Sequence, residues 1–269
     1  MEANPDLGRD WNSEPFRVLV AIGDAVAAGG DASRRELCWA EVLAALITDF
    51  QDDPVRLVNV GLGGNIISTQ APPYAESRKP AADERAQKHV IDHQPDLLVI
   101  GYGLNDCRGG TPVELFQREL TRFIDAVRRG CDPLIVLTGP NFVTEFTSPD
   151  PWSHANRNVF ATFNLAIEQV ARATNCLFCE IFDAAGGAEW LAGYSRVHPN
   201  DLGHRLIAHQ LFQTLAHNCS GLATRTKRLE QSTEPWRDES VLMADYGYSW
   251  PTVGARPTPT RSRRAGRGG

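Results

Sequence analysis

Apolar residues recur along this chain in two alternating rhythms. Short apolar-rich runs at 16–22, 55–60, 96–101, 133–138 and 176–181 read as strands, the first as one covered on both faces. Between them lie stretches with helical spacing. In 31–50 an apolar stripe runs through Leu37, Cys38, Val42, Ala45, Leu46 and Phe50, which predicts a helix from about Asp31 to Asp49. Further helices are expected at 81–93, stopped before Pro95, and at 112–129, with proline near the first turn and Gly130 at the exit. Two more are expected at 153–174 and at 201–217, the last capped by Asn200 or Asp201.

Five strands interleaved with helices predict an α/β fold, a three-layer α/β/α sandwich around a five-stranded parallel sheet of the flavodoxin-like kind. In such sheets ligands bind beyond the carboxyl ends of the strands. Asp24, Ala25, Gly64, Asn105 and Asp106 all fall just after expected strands, so pattern alone gathers them at one edge.

The alternation divides the chain into an N-terminal extension, 1–15, a domain at 16–220 and a polar tail at 221–269. The tail carries scattered aromatics, including Trp236 and Tyr246, and ends in a Pro, Thr, Arg and Gly stretch expected to be disordered. The formal charge is −6, and the last fifteen residues hold five arginines and no acid. The rest is therefore more acidic still, which disfavours nucleic acid as a partner. No apolar run reaches the ~18 residues of a membrane span, and 1–11 has neither a basic start nor an apolar core, so a cytoplasmic protein is expected.

Six scattered cysteines do not form a disulfide framework. Cys176 and Cys179 sit three apart in an expected strand, where their side chains point to opposite faces, a poor arrangement for zinc. His89 and His93 lack a third ligand and read as a helix surface. No nucleotide or phosphate fingerprint is present, so no cofactor is expected. Trp39, Trp152 and Trp190 read as core.

Four short blocks carry the candidate chemistry: Gly23-Asp24-Ala25, Gly61-Leu62-Gly63-Gly64-Asn65, Gly103-Leu104-Asn105-Asp106 and His198-Pro199-Asn200. Each alone has an ordinary explanation as a turn or cap; their order at successive strand ends does not. Together they resemble the SGNH (GDSL) hydrolases over most of 16–217. That resemblance implies a small acyl ester as substrate, with the nucleophile at position 25 and His198 as base. It implies an oxyanion hole from the residue 25 backbone, Gly64 and Asn105, and a triad aspartate at position 195.

Two of these positions depart from the pattern. Ala25 has no hydroxyl to attack with, and Ser195 has no charge to stabilise imidazolium. Asp183 and Asp201 are candidates to supply the missing carboxylate. Asp24 and Asp106 are expected to hold the site loops, the 70–80 segment to wall one side, and His204 to pack or cap. Three functions follow: an ester hydrolase or acyltransferase whose serine has been replaced; a natural pseudoenzyme that binds a ligand or partner in the retained cleft; or a non-hydrolytic catalyst using His198 as acid and base.

Overall fold

A computed structural model describes residues 9–233 and 238–247. Five strands, β1 (Val18–Gly23), β2 (Arg56–Asn59), β3 (Leu97–Gly101), β4 (Leu134–Thr138) and β5 (Leu177–Cys179), form one parallel sheet in the order β2-β1-β3-β4-β5. Leu19 to Ile22 are fully buried because helices cover both faces of the sheet. Helices α1 (Trp39–Phe50) and α7 (Asp201–Asn218) pack together on one side. On the other lie α3 (Ala82–His89), α5 (Val113–Gly130) and α6 (Arg157–Ala173). Short helices α2 (Tyr74–Ser77) and α4 (Leu104–Arg108) sit in the loops that follow β2 and β3.

The chain leaves β1 for β2 on one side and then returns to β3 on the other. The ends of β1 and β3 therefore flank the point where strand order reverses, the usual ligand crevice of such sheets. Close packing there depends on Gly23, paired with Gly101: a β-carbon at Gly23 would stand 2.4 Å from the Gly101 carbonyl oxygen. Gly103, at φ +121°, then turns the backbone into α4, a conformation residues with a side chain rarely adopt.

Several element boundaries differ from expectation. The helix expected from Asp31 begins only at Trp39, after a single 3₁₀ turn at Arg35–Leu37. Asp31 adopts φ +63° and Ser33 is fastened to Asp201, so tertiary contacts hold this stretch as a loop. The helix expected from residue 153 starts at Arg157, where Asn156 Oδ1 accepts from the N–H groups of Asn158 (2.9 Å) and Val159 (3.1 Å). Such a cap contributes about 1 kcal/mol. The helix expected over 81–93 breaks after His89, where Val90 leaves helical geometry and a 3₁₀ turn follows. The last strand shrinks to Leu177–Cys179.

Asn200 is the cap of α7: its Oδ1 accepts from Leu202 N and Gly203 N, each at 3.1 Å. Trp39 is core as expected, whereas Trp190 is 73 % exposed. Trp152 is half-buried against Ile66, outside the main core.

Residues 9–14 of the N-terminal extension are pinned to the end of α7 through Trp11 N to Asn218 O (2.7 Å) and Ser220 N to Asp10 Oδ1 (3.0 Å). The expected tail contains helices α8 (Thr224–Ser232) and α9 (Ser240–Tyr246). Its segments 234–237 and 248–269, with Trp236 and the arginine-rich end, lie outside the described residues. The contacts divide the chain into a unit reaching Leu229 and a second from Glu230, to which α9 belongs.

Candidate functional site

The loop after β1 places Asp24 and Ala25 at the sheet's edge. Asp24 is buried, and its Oδ1 accepts from Val26 N at 2.9 Å. Burial raises its carboxyl to about 7, against the opposing pull of the Val26 N–H and the Arg108 guanidinium. Ala25 is half-buried, and its carbonyl accepts from Gly30 N at 2.7 Å. The turn is braced from α1 by Trp39 Nε1, which donates to Val26 O at 3.0 Å.

The loop after β2 brings Gly63 and Gly64 beside that turn. A β-carbon at Gly63 would lie 3.7 Å from Ala25 Cβ and 3.9 Å from Lys79 Nζ. The Lys79 ammonium donates to the Gly63 carbonyl. Gly64 has φ +70°, and among the described residues its N–H finds no acceptor. Asn65 ties the neighbourhood together: Tyr102 Oη donates to its Oδ1 (2.7 Å), as does Arg85, and its Nδ2 donates to Pro80 O (2.5 Å).

From α4, Asn105 Nδ2 donates to the Asn65 carbonyl at 3.0 Å, which sets this amide beside the Gly64 turn. The adjacent Asp106 accepts from Ile67 N (3.1 Å), while its other oxygen is buried without a partner. Burial raises Asp106 to about 7 as well, and the nearby Asp24 adds to the rise. Both aspartates thus hold backbone N–H groups of the site loops. The 70–80 loop packs over Gly109 through Pro73 and reaches the Gly63–Gly64 turn through Lys79.

His198 arrives from the segment before α7. Its carbonyl accepts from Gly193 N (2.8 Å), and Asn141 Nδ2 donates to the preceding Val197 carbonyl (3.0 Å). The imidazole lies on Gly30: a β-carbon there would be 2.9 Å from His198 Cγ and 3.0 Å from the Ala25 carbonyl oxygen. His204 is fully buried beneath, its Nε2 3.0 Å from Gly30 O and its Nδ1 accepting from Trp39 N at 3.4 Å. It fastens the shelf on which His198 rests.

Two residues stand against His198 Nδ1. Ser195 Oγ lies 2.8 Å from His198 Nδ1 and accepts from Val197 N (3.2 Å) and His198 N (3.1 Å). Behind it, Asp31 Oδ2 accepts from Ser195 N at 2.7 Å, and Asp31 Oδ1 stands 3.8 Å from Nδ1, within ion-pair distance. Asp31 fits because residue 193 is glycine: a β-carbon there would be 2.5 Å from both Asp31 Cβ and Oδ2. Burial lowers the His198 pKa; Asp31 opposes that shift and Arg108 adds to it.

Ala25 thus lies beside the Gly63–Gly64 turn and beside Gly30, on which His198 rests; Asn105 reaches the same turn through the Asn65 carbonyl, and Ser195 touches His198. Asp183 and Asp201 are not part of this group. Asp183 is exposed and paired with Arg157 (3.4 Å), and Asp201 is committed to Ser33 N (2.7 Å) and Oγ (2.6 Å). Sequence reasoning missed Asp31, which it placed inside a helix, although the preceding Gly29-Gly30 pair is a loop signal. It also missed Lys79, and Arg108, which is buried and bonded to Phe146 O (3.0 Å).

The family model for GDSL-like lipases and acylhydrolases matches residues 21–206. The chain belongs to this family. No curated protein sequence matches it. Among solved structures it resembles the acetylxylan esterase Axe2 of Geobacillus stearothermophilus, at 21 % identity and a TM-score of 0.57 over 76 % of this chain and 95 % of that one. A catalytic serine-to-alanine mutant of Axe2 matches at 0.58, with the same identity and coverage. A GDSL-like lipase candidate from Parabacteroides merdae matches at 0.61 and 19 % identity, over 77 % of this chain and 99 % of that one. At these identities the likeness is one of fold.

In this GDSL-family chain Cys176 and Cys179 are free and buried, the first near Arg128 of α5 and the second near Thr214 of α7, hence on opposite faces of the sheet. Among the described residues no helix is long and apolar enough to cross a membrane.

Proposed function

We propose that this chain carries the acyl-ester site of its family with the nucleophile position filled by Ala25, so that it binds a small acyl compound without forming an acyl-enzyme. Gly64 N–H and Asn105 Nδ2 serve as oxyanion donors, and His198 as the acid–base group. Ser195 and Asp31 together take the place of the single triad aspartate. The observation that carries this reading is the seating of the His198 ring on Gly30, whose N–H holds the Ala25 carbonyl. This puts the imidazole and the backbone of residue 25 on either side of one glycine, with a methyl as the side chain where the family pattern has a serine hydroxyl. The likeness to Axe2 supports an acyl ester as the ligand class.

The test is Ala25→Ser. The variant is expected to hydrolyse p-nitrophenyl acetate about 10³-fold or more faster than the alanine chain, because covalent catalysis is restored. Equal turnover by both proteins contradicts the reading. A second reading, a natural binding protein rather than an enzyme short of one atom, is favoured by Ser195: a second position has also lost its catalytic side chain.

A further inference from the structure

Arg108 is a buried cation without an acidic partner. It is 5 % exposed, and among the described residues no carboxylate lies within ion-pair distance of its guanidinium. Two of its three nitrogens are held by neutral oxygens. Nε donates to Phe146 O (3.0 Å) and Nη2 to Ser148 Oγ. Nη1 has no acceptor among the described residues, yet it is not sealed from solvent. A desolvated guanidinium is costly unless an anion answers it. The acidic groups whose charge reaches Arg108 are Cys107, Glu145 and Asp24. Burial holds the Cys107 thiol well above its usual value, Glu145 is exposed, and Asp24 is raised to about 7. None of them sets a full buried negative charge against Arg108 at neutral pH.

The position of this cation ties it to the site. Arg108 follows Asn105 by three residues, so the two share one face of the single turn α4. The 144–148 segment that Arg108 holds is fastened in turn to the backbone just before His198: Thr144 N and Glu145 N both donate to Arg196 O, at 3.0 and 3.2 Å. Phe146 also packs edge-on against Phe160 of α6, with ring centres 5.1 Å apart. The guanidinium therefore joins α4 to the segment beside His198, and its charge acts on both Asp24 and His198. We infer that Arg108 receives an anionic group of the ligand, so that the compound bound here is an ester carrying a second, negatively charged group. Nη1 and the second N–H of Nη2 form a fork that fits two oxygens of a carboxylate, sulfate or phosphate. The inference rests on the acyl-site reading and names the charge of the ligand.

The alanine chain, titrated with charged and neutral esters at constant ionic strength and followed by NMR, tests this. Monomethyl succinate carries its charge on the acyl side and acetoxyacetate on the alcohol side. Methyl pentanoate and propyl acetate are their neutral counterparts. At least one charged ester is expected to bind about tenfold more tightly than its counterpart, and which one it is assigns the side. The advantage should vanish in Arg108→Gln and persist in Ser148→Ala, which removes one pin of the guanidinium and leaves its charge. Equal binding of charged and neutral esters overturns the inference, and that comparison needs no variant. An advantage that survives Arg108→Gln, or is lost equally in Ser148→Ala, overturns it as well. If Ala25→Ser hydrolyses p-nitrophenyl acetate while charge brings no gain, the anion assignment fails and the acyl-site reading survives. If that variant is inert while the Arg108-dependent gain holds, the anion site stands and the acyl-site reading falls.

Discussion

Asp31 holds the backbone N–H of Ser195 at 2.7 Å, across 164 residues of chain, and so sets a carboxylate behind a serine that stands where the family pattern has an aspartate. Its second oxygen is 3.8 Å from His198 Nδ1. The carboxylate stands behind the Ser195 hydroxyl, which is the group in contact with the ring. In an Ala25→Ser background, Asp31→Asn retains an oxygen for the Ser195 bond and removes only the charge. It is expected to lower kcat about 10- to 100-fold with little change in KM, less than the roughly 10⁴-fold seen when a directly bonded triad carboxylate is neutralised. Steady-state kinetics of the two proteins decide this.

The room for that carboxylate comes from Gly193, and the shelf for the imidazole from Gly30. Gly193→Ala puts a methyl 2.5 Å from Asp31, and Gly30→Ala puts one 2.9 Å from His198 Cγ. Each is expected to cost about 1–3 kcal/mol of stability as an overpacked site. In the Ala25→Ser background each should also reduce turnover more than tenfold while the protein remains folded, because a displacement of about 1 Å at the reacting groups is costly. Thermal unfolding and kcat measured together separate the two effects.

The outline of the fold was readable from the chain because the strands at the middle of the sheet, covered on both faces, leave their mark as short, mostly apolar runs. The five strands and the helices around them lie close to where periodicity puts them. The site was legible in part: Ala25, Gly64, Asn105 and His198 follow strand ends or precede a helix, so topology gathers them. Asp31 was not legible. Its role depends on φ +63°, about 1 kcal/mol of local strain, and on a partner 164 residues away, and neither leaves a local pattern. Trp190 misled for a related reason: a large apolar side chain carries no sign that its loop leaves it 73 % exposed.

The lowered pKa of His198 gives a pH prediction. A base works in its neutral form, so in Ala25→Ser the acidic limb of kcat/KM should lie below the ordinary histidine value of 6.5. Burial and Arg108 push it down and Asp31 holds it up. Asp31→Asn should therefore move the limb lower still. A limb at or above 6.5 that does not respond to Asp31→Asn contradicts this electrostatic picture.

Asp24 and Asp106 give a stability prediction of opposite sign. Each is raised from 3.8 to about 7 by burial, so the folded state holds protons that the unfolded chain has released. Their contribution is complete below about 3.8 and is lost as pH climbs toward 7. The slope is about 1.4 kcal/mol per pH unit for each group that titrates. His198 and His204, both lowered, oppose this below 6.5. Asp24→Asn keeps the acceptor for Val26 N and should flatten the fall in stability between pH 5 and 7, as read from urea unfolding at each pH.

Covalent trapping at position 25 probes whether His198 and residue 25 form one acyl-ester site. Ala25→Ser is treated with a fluorophosphonate and the adduct located by peptide mass spectrometry. One adduct per chain is expected at residue 25, lost when His198→Ala is added and never formed by the alanine chain. An unlabelled serine in a folded protein, or an adduct at another residue, would contradict it.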